Sequence, residues 1–86
     1  MAVEAGYDGG FGRDVARGYR RVIQLIRDAR DERDLYAWKG LRFEKLKGNR
    51  AHQRSMRINL QFRLIIQVEN AKSGNLMIAR SIEDYH

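Results

Sequence analysis

Residues 55–68 read Ser55-Met-Arg-Ile-Asn-Leu-Gln-Phe-Arg-Leu-Ile-Ile-Gln-Val68, and their parity decides the fold. Met56, Ile58, Leu60, Phe62, Leu64, Ile66 and Val68 share one parity. Ser55, Arg57, Asn59, Gln61, Arg63 and Gln67 share the other, with Ile65 as the exception. Period-two alternation of this kind predicts strands with one buried face. The run is long for one strand, and the polar Asn59-Leu60-Gln61 at its centre predicts a hairpin turn. Directly opposed residues of an antiparallel pair lie on one face. A two-residue loop at Leu60-Gln61 sets Arg57 opposite Leu64 and mixes the faces. A loop of Asn59-Leu60-Gln61 sets Met56 opposite Leu64 and Arg57 opposite Arg63, and keeps the core face apolar. The two guanidinium groups then become neighbours on the open face. Like charges directly opposed are unfavourable unless an anion sits between them, and a phosphate serves that need. The plainer alternative is that both arginines splay into water.

The chain has 86 residues, enough for one small domain with a marginal core. It has no cysteine and no proline; the lack of cysteine excludes a disulfide framework and fits a reducing compartment. The N-terminus has neither a basic nor an apolar leader region, and no apolar run approaches a membrane span, so a cytoplasmic protein is expected. The net charge of +6 is unevenly placed. Residues 42–63 hold Arg42, Lys45, Lys47, Arg50, Arg54, Arg57 and Arg63 against Glu44 alone, which accounts for the whole excess. A basic strip on an otherwise balanced chain points to a polyanionic partner, most simply nucleic acid. An acidic protein fits as well. A membrane fits least, because the strip has no apolar amphipathic face.

Outward from the hairpin, residues 1–12 carry four glycines within seven positions and read as a flexible lead-in. No phosphate-loop spacing occurs there. Residues 14–30 are helical, with Val15, Tyr19, Val22, Ile23 and Ile26 on one stripe and Asp14 as N-cap. Asp31 or Asp34 starts a short second helix that carries Leu35, Tyr36 and Trp38 and ends at Gly40; Trp38 reads as a core or interface anchor. Residues 41–46 alternate as a short strand with Leu41 and Phe43 inside. Lys47-Gly-Asn-Arg50 is a turn. Asn70-Ala-Lys-Ser-Gly-Asn75 is a second loop, and residues 76–82 are a further strand.

Three ordered blocks carry a family resemblance: Phe43-Glu-Lys-Leu-Lys-Gly-Asn-Arg50, Ser55-Met-Arg-Ile-Asn-Leu-Gln-Phe-Arg-Leu64, and Ser81-Ile-Glu-Asp-Tyr-His86. Together they resemble the C-terminal half of HigB-type toxins, the plasmid-maintenance killers of the RelE/ParE superfamily. The helix and Asp31-Glu-Arg-Asp-Leu-Tyr-Ala37 resemble one branch of the same family, so the likeness covers about residues 13–86. It implies an α+β fold, with two helices packed on one face of a small twisted antiparallel sheet. It also implies a toxin of a type II toxin–antitoxin system, paired with a HigA-like helix-turn-helix antitoxin. Many members cleave mRNA on the translating ribosome without metal, while a sister branch inhibits gyrase. The family usually opens with a strand and a helix that this chain replaces by its Gly-rich start. Either the start is shortened or residues 2–5 supply a vestigial strand; the first reading leaves the family's first strand and helix absent and one domain at 13–86. Some relatives have a histidine where this chain has Glu44, so a role for histidine there does not carry over.

Metal-free RNA cleavage uses the substrate's 2′-OH as nucleophile. It needs a base, an acid for the 5′-oxygen, and cations around the phosphate. Arg57 and Arg63 suit the cationic role. Lys47 and Arg50, with Lys45, Arg54 and His52, are candidates for holding the backbone. His52 reads equally well as a plain surface residue. His86 is the candidate for proton transfer, with an ordinary pKa near 6.5; its plain alternative is a frayed terminus. Tyr85 donates a hydrogen bond or stacks a base, Asp84 orients one of the two, and Glu44 is a base if it faces the arginines. Two histidines and no cysteine argue against a zinc site. No cofactor is expected. The competing expectations are a shortened, inactive toxin that binds antitoxin, ribosome or RNA, and a gyrase-directed toxin.

Overall fold

A computed structural model describes residues 1–5, 12–71 and 74–84, with backbone alone at 70–71 and 74. The strands are β1 (Ala2–Glu4), β2 (Glu44–Lys45), β3 (Gln53–Arg57), β4 (Phe62–Ala71) and β5 (Gly74–Asp84); the helices are α1 (Arg13–Asp28) and α2 (Glu32–Tyr36). Strand order is β1-β5-β4-β3-β2. The architecture is α+β, as the resemblance implies.

The β3–β4 register sets Met56 opposite Leu64 and Arg57 opposite Arg63, as parity predicts. The turn is closed from within. Asn59 Oδ1 accepts hydrogen bonds from the amides of Gln61 and Phe62, each at 2.8 Å, and the Ile58 amide donates to the Phe62 carbonyl at 3.0 Å. A short polar side chain that satisfies its own turn in this way is a strong local signal. Asn59→Ala is expected to lower stability by about 1 kcal/mol, a net hydrogen-bond contribution, without moving the register. Thermal denaturation measures the loss, and an unchanged melting temperature would show that the side chain is dispensable.

α1 buries the expected stripe, with Val22 and Ile26 fully inaccessible and Val15, Tyr19 and Ile23 nearly so. Each such aliphatic side chain contributes about 1.5–3 kcal/mol of transfer free energy. The stripe packs on the sheet face that carries Met56, Ile58, Leu64, Ile66 and Met77. Asp14 is not the cap: Gly12 occupies that position, no side chain caps it, and Asp14 lies in the first turn. Asp31 does cap α2, with Oδ1 accepting from the Arg33 amide at 2.9 Å. The Arg33 guanidinium bonded to Asp31 holds that carboxyl below its ordinary value. α2 ends at Tyr36, earlier than expected, and Trp38 is 57% exposed, so it is no core residue. The strand expected over 41–46 shrinks to Glu44–Lys45, because Lys39–Leu41 forms a 3-10 turn before it; Leu41 and Phe43 are buried all the same.

Three further expectations are corrected. First, the first strand is present. Val3 pairs in parallel with Met77 on β5, so the sheet is mixed rather than antiparallel. Met1, Val3 and Ala5 pack against the core while Ala2 and Glu4 face out. That alternation is what makes the segment a strand, and residues 2–4 of the expected lead-in pair with β5 in the sheet. The rest of that lead-in, residues 6–11, lies outside the described residues. Second, the loop expected over 70–75 is shorter. β4 runs to Ala71 and β5 starts at Gly74, which leaves residues 72–73, outside the described residues, between them. Third, β5 does not keep one parity. Ser81 pairs with Ile65 and Ala79 with Ile66, so Arg80 is an extra residue without a partner across the ladder. This bulge lets Met77 and Ile82, of opposite parity, both face the core. Both sheet edges are very short strands, a form that resists pairing with another chain.

Candidate active site

Arg63 is the centre of the site. It lies on the sheet face turned away from α1, yet it is only 9% exposed. Ser55 and Ile65 on the same face are buried too, so this face is not open around Arg63. Its guanidinium crosses β3 and reaches β2: Nη1 donates to Ser55 Oγ at 3.2 Å and lies 3.5 Å from Glu44 Oε2, and Nη2 donates to the Arg42 carbonyl at 3.4 Å. The register makes this possible, since Glu44 sits opposite Ser55, and Ser55 opposite Ile65. Arg42 presents its carbonyl from a left-handed backbone, φ 51°. That conformation costs an ordinary residue about 1–2 kcal/mol, which the Arg63 hydrogen bond helps to offset.

The like-charge problem posed by Arg57 opposite Arg63 is thus met within the chain. Glu44 supplies the anion for Arg63. Arg57 is half-buried and has no ion pair among the described residues. On the other side of Arg63 the register places Glu83 of β5. Arg50 Nη2 lies 3.2 Å from Glu83 Oε2, and Arg50 Nε donates to Gln53 Oε1 at 2.9 Å. Ser81 Oγ is 3.2 Å from Glu83 Oε2. Leu46, Arg50, Ser55, Arg63, Ile65, Glu83 and Asp84 line a cleft of ≈ 150 Å³. It is large enough to admit a phosphate group.

Of the residues singled out from sequence, Arg50, Arg63 and Asp84 line this cleft and Glu44 contacts Arg63. Arg57 is opposite Arg63 by register but does not line this cleft; it lines a separate hollow with Arg17, Arg21 and Leu60. Lys47 is exposed before the 3-10 turn at Gly48–Arg50, whose Gly48 takes φ 66°. His52 is exposed. Its carbonyl accepts from the Val68 amide at 3.0 Å. Arg54 and Lys45 pair across β2 and β3 on the α1 side of the sheet. Arg54 is ion-paired there with Glu32 of α2, so it braces the helix and does not face the cleft. Tyr85 and His86 lie outside the described residues. Sequence reasoning missed Ser55, Glu83 and the Arg42 carbonyl. Ser55 carried a signal, being a small polar residue on the same strand face as Arg57. Glu83 carried none, because its place opposite Arg63 depends on how β5 pairs with β4.

The basic strip is also less free than its count suggests. Arg50, Arg54 and Arg63 each hold a carboxylate. Arg42, Lys45, Lys47 and Arg57 form no ion pair among the described residues.

A family model described as the RelE-like toxin of the type II toxin–antitoxin system HigB matches residues 10–86. Among solved structures, the YoeB/ParE toxin from Agrobacterium tumefaciens is similar. The two are 28% identical, the match covers 83% of this chain and 77% of that one, and the TM-score is 0.58. No curated protein matches significantly.

Proposed function

Since the chain belongs to the HigB-like family of RelE-like toxins from type II toxin–antitoxin systems, we propose that it is a ribosome-dependent mRNA endoribonuclease that acts in the cytoplasm and is neutralised by a HigA-like antitoxin. The observation that carries this reading is the Glu44–Arg63 pair, whose arginine lines the cleft: a carboxylate 3.5 Å from a buried arginine whose other contacts hold it in place. Arg63 takes the scissile phosphate and stabilises the charge that grows on its oxygens. Glu44, whose side chain is 57% exposed, turns to the substrate and removes the 2′-OH proton. The 2′-oxygen then bonds to phosphorus as the bond from phosphorus to the 5′-oxygen breaks, and a proton passes to that leaving oxygen. The products are a 2′,3′-cyclic phosphate and a 5′-hydroxyl. The requirement for a 2′-OH selects RNA over DNA.

His86 is proposed as the acid. Asp84, which lines the cleft, precedes it by two residues. Tyr85 is assigned to stacking or hydrogen bonding beside it. Arg50 and Lys47 flank the phosphate, and Arg57 supplies a second cation to the neighbouring one. Arg54, Lys45 and His52 are left with at most peripheral contacts to the RNA backbone. No cofactor enters this chemistry.

The test is to incubate the protein with translating ribosomes and map new mRNA 5′ ends. Cuts are expected with the wild type and none with the Arg63→Ala, His86→Ala double variant. Cuts that persist in the double variant, or none with the wild type, overturn the reading. A change in DNA supercoiling in expressing cells, with intact mRNA, would assign the protein to gyrase instead.

A further inference from the structure

Arg50 enters the cleft from the 3-10 turn at Gly48–Arg50 and presents one edge of its guanidinium there. Nε and Nη2 form the side-on fork of an arginine, two parallel donors that match two oxygens of one phosphate. That fork is already filled. Nε donates to Gln53 Oε1 at 2.9 Å and Nη2 donates to Glu83 Oε2 at 3.2 Å. Gln53 lies on β3 and Glu83 on β5, with β4 between them. Two oxygens from separate strands, one neutral and one charged, thus stand where a phosphate would place its own pair.

The charge of the cleft points the same way. Among the described residues its lining holds Arg50 and Arg63 against Glu83 and Asp84, and Glu44 adds a third carboxylate at Arg63. Two guanidiniums among three carboxylates do not by themselves draw in an anion. A phosphate gains from such a site when a carboxylate gives up its arginine. Arg63 is fixed, being buried and bonded also to Ser55 and the Arg42 carbonyl. Arg50 is free to exchange. The side chains of Arg50 and Glu83 are 45% and 48% exposed, and an ion pair so exposed contributes little net stability. Glu83 also keeps a partner after the exchange, since Ser81 Oγ lies 3.2 Å from the same Oε2.

We propose that Glu83 is a positioning residue: in the free protein it holds Arg50 aimed across the cleft as an internal substitute for phosphate, and it yields the guanidinium to an RNA phosphodiester when substrate enters. The inference rests on the reading that this cleft takes RNA. It adds a competing carboxylate that sets how tightly the phosphate is held.

The test measures affinity for stalled ribosomes carrying mRNA with 2′-deoxynucleotides in the vacant codon, which leaves no 2′-OH to attack. Glu83→Gln keeps the shape of the side chain and removes its charge, and it is expected to bind about three- to fivefold more tightly than the wild type. Loss of a purely structural contact weakens binding or leaves it unchanged, and either result overturns the proposal. Asp28→Asn removes a negative charge from the end of α1, on the other side of the sheet, and is expected to bind as the wild type does. An equal gain there assigns the effect to net charge and overturns the proposal. In an Arg50→Ala background, Glu83→Gln is expected to give no gain, because the two residues act through one contact. A gain that survives shows that Glu83 repels RNA directly and overturns the exchange. A thermal melt checks that each variant folds. If the wild type does not bind the ribosome–mRNA complex, the nuclease reading falls as well; if it binds and Glu83→Gln binds no more tightly, the proposal on Glu83 falls alone.

Discussion

Glu44→Gln is expected to slow mRNA cleavage on programmed ribosomes by about 10²–10⁴-fold, the usual worth of a general base. Substrate binding should hold or tighten, because the change removes one negative charge beside the phosphate site. The amide keeps a hydrogen-bond acceptor near Arg63 Nη1 but cannot accept the 2′-OH proton at neutral pH. The loss therefore falls on the chemical step and not on KM. Folding should be little affected. The Glu44 side chain is 57% exposed, and an ion pair with one such partner contributes little net stability. Arg63 also keeps its bonds to Ser55 and the Arg42 carbonyl. Single-turnover cleavage and a thermal melt of the same preparation separate the two effects. A rate within about tenfold of wild type, with folding intact, would remove Glu44 from the base role and leave it as the internal counterion of Arg63.

That dual standing explains why parity alone misjudged the arginine pair. The register was legible because only one loop length keeps Met56, Ile58, Leu64 and Ile66 on one face. Burial of Arg63 was less so. The departure from alternation, Ile65, was its trace: an apolar residue on the polar parity marks a second covered face. It is indeed buried, along with Ser55 and Arg63. The pair is therefore unequal. Arg63 is anchored by three chain partners, while Arg57, at the strand's end, has no ion pair among the described residues.

Charge counting failed for a related reason. It placed the whole excess between Arg42 and Arg63, but Glu32 and Glu83, from outside that window, come back to Arg54 and Arg50. Chain proximity is a poor guide to ion pairing when strands bring distant residues together. The bulge at Arg80 was illegible for a different reason. It adds one residue to a ladder without any glycine or proline to mark it. The first strand was missed, because the glycines that follow it made the whole start read as a lead-in; its presence supplies the edge strand whose absence had favoured an inactive, shortened toxin.

Gly18→Val is expected to destabilise the fold by about 3 kcal/mol, near the upper end for an overpacked contact. Glycine inside a helix is itself unfavourable by about 1 kcal/mol, so its use mid-α1 needs a reason that helix formation does not supply. The reason is the hairpin. A Cβ at Gly18 would lie 2.5 Å from Ile58 Cγ2 and 2.6 Å from the Ile58 carbonyl oxygen. Arg21, one turn on, donates from Nη2 to that same carbonyl at 3.2 Å. The helix is thus pressed on the last residue before the Asn59 turn and bonded to it. Any side chain at 18 must either push α1 off the sheet or push the turn outward. The side chain of Ile58 can rotate, but its backbone oxygen cannot. A β-branched residue adds its own cost in a helix. For a domain of this size the loss corresponds to a fall in melting temperature of about 12–24 °C. The turn joins Arg57 to Arg63, so displacing it disturbs the cleft as well, and cleavage is expected to fall even in the fraction that stays folded. A variant that melts within about 3 °C of wild type would show that the contact yields without cost, and that the close approach of α1 to Ile58 is not what fixes the hairpin.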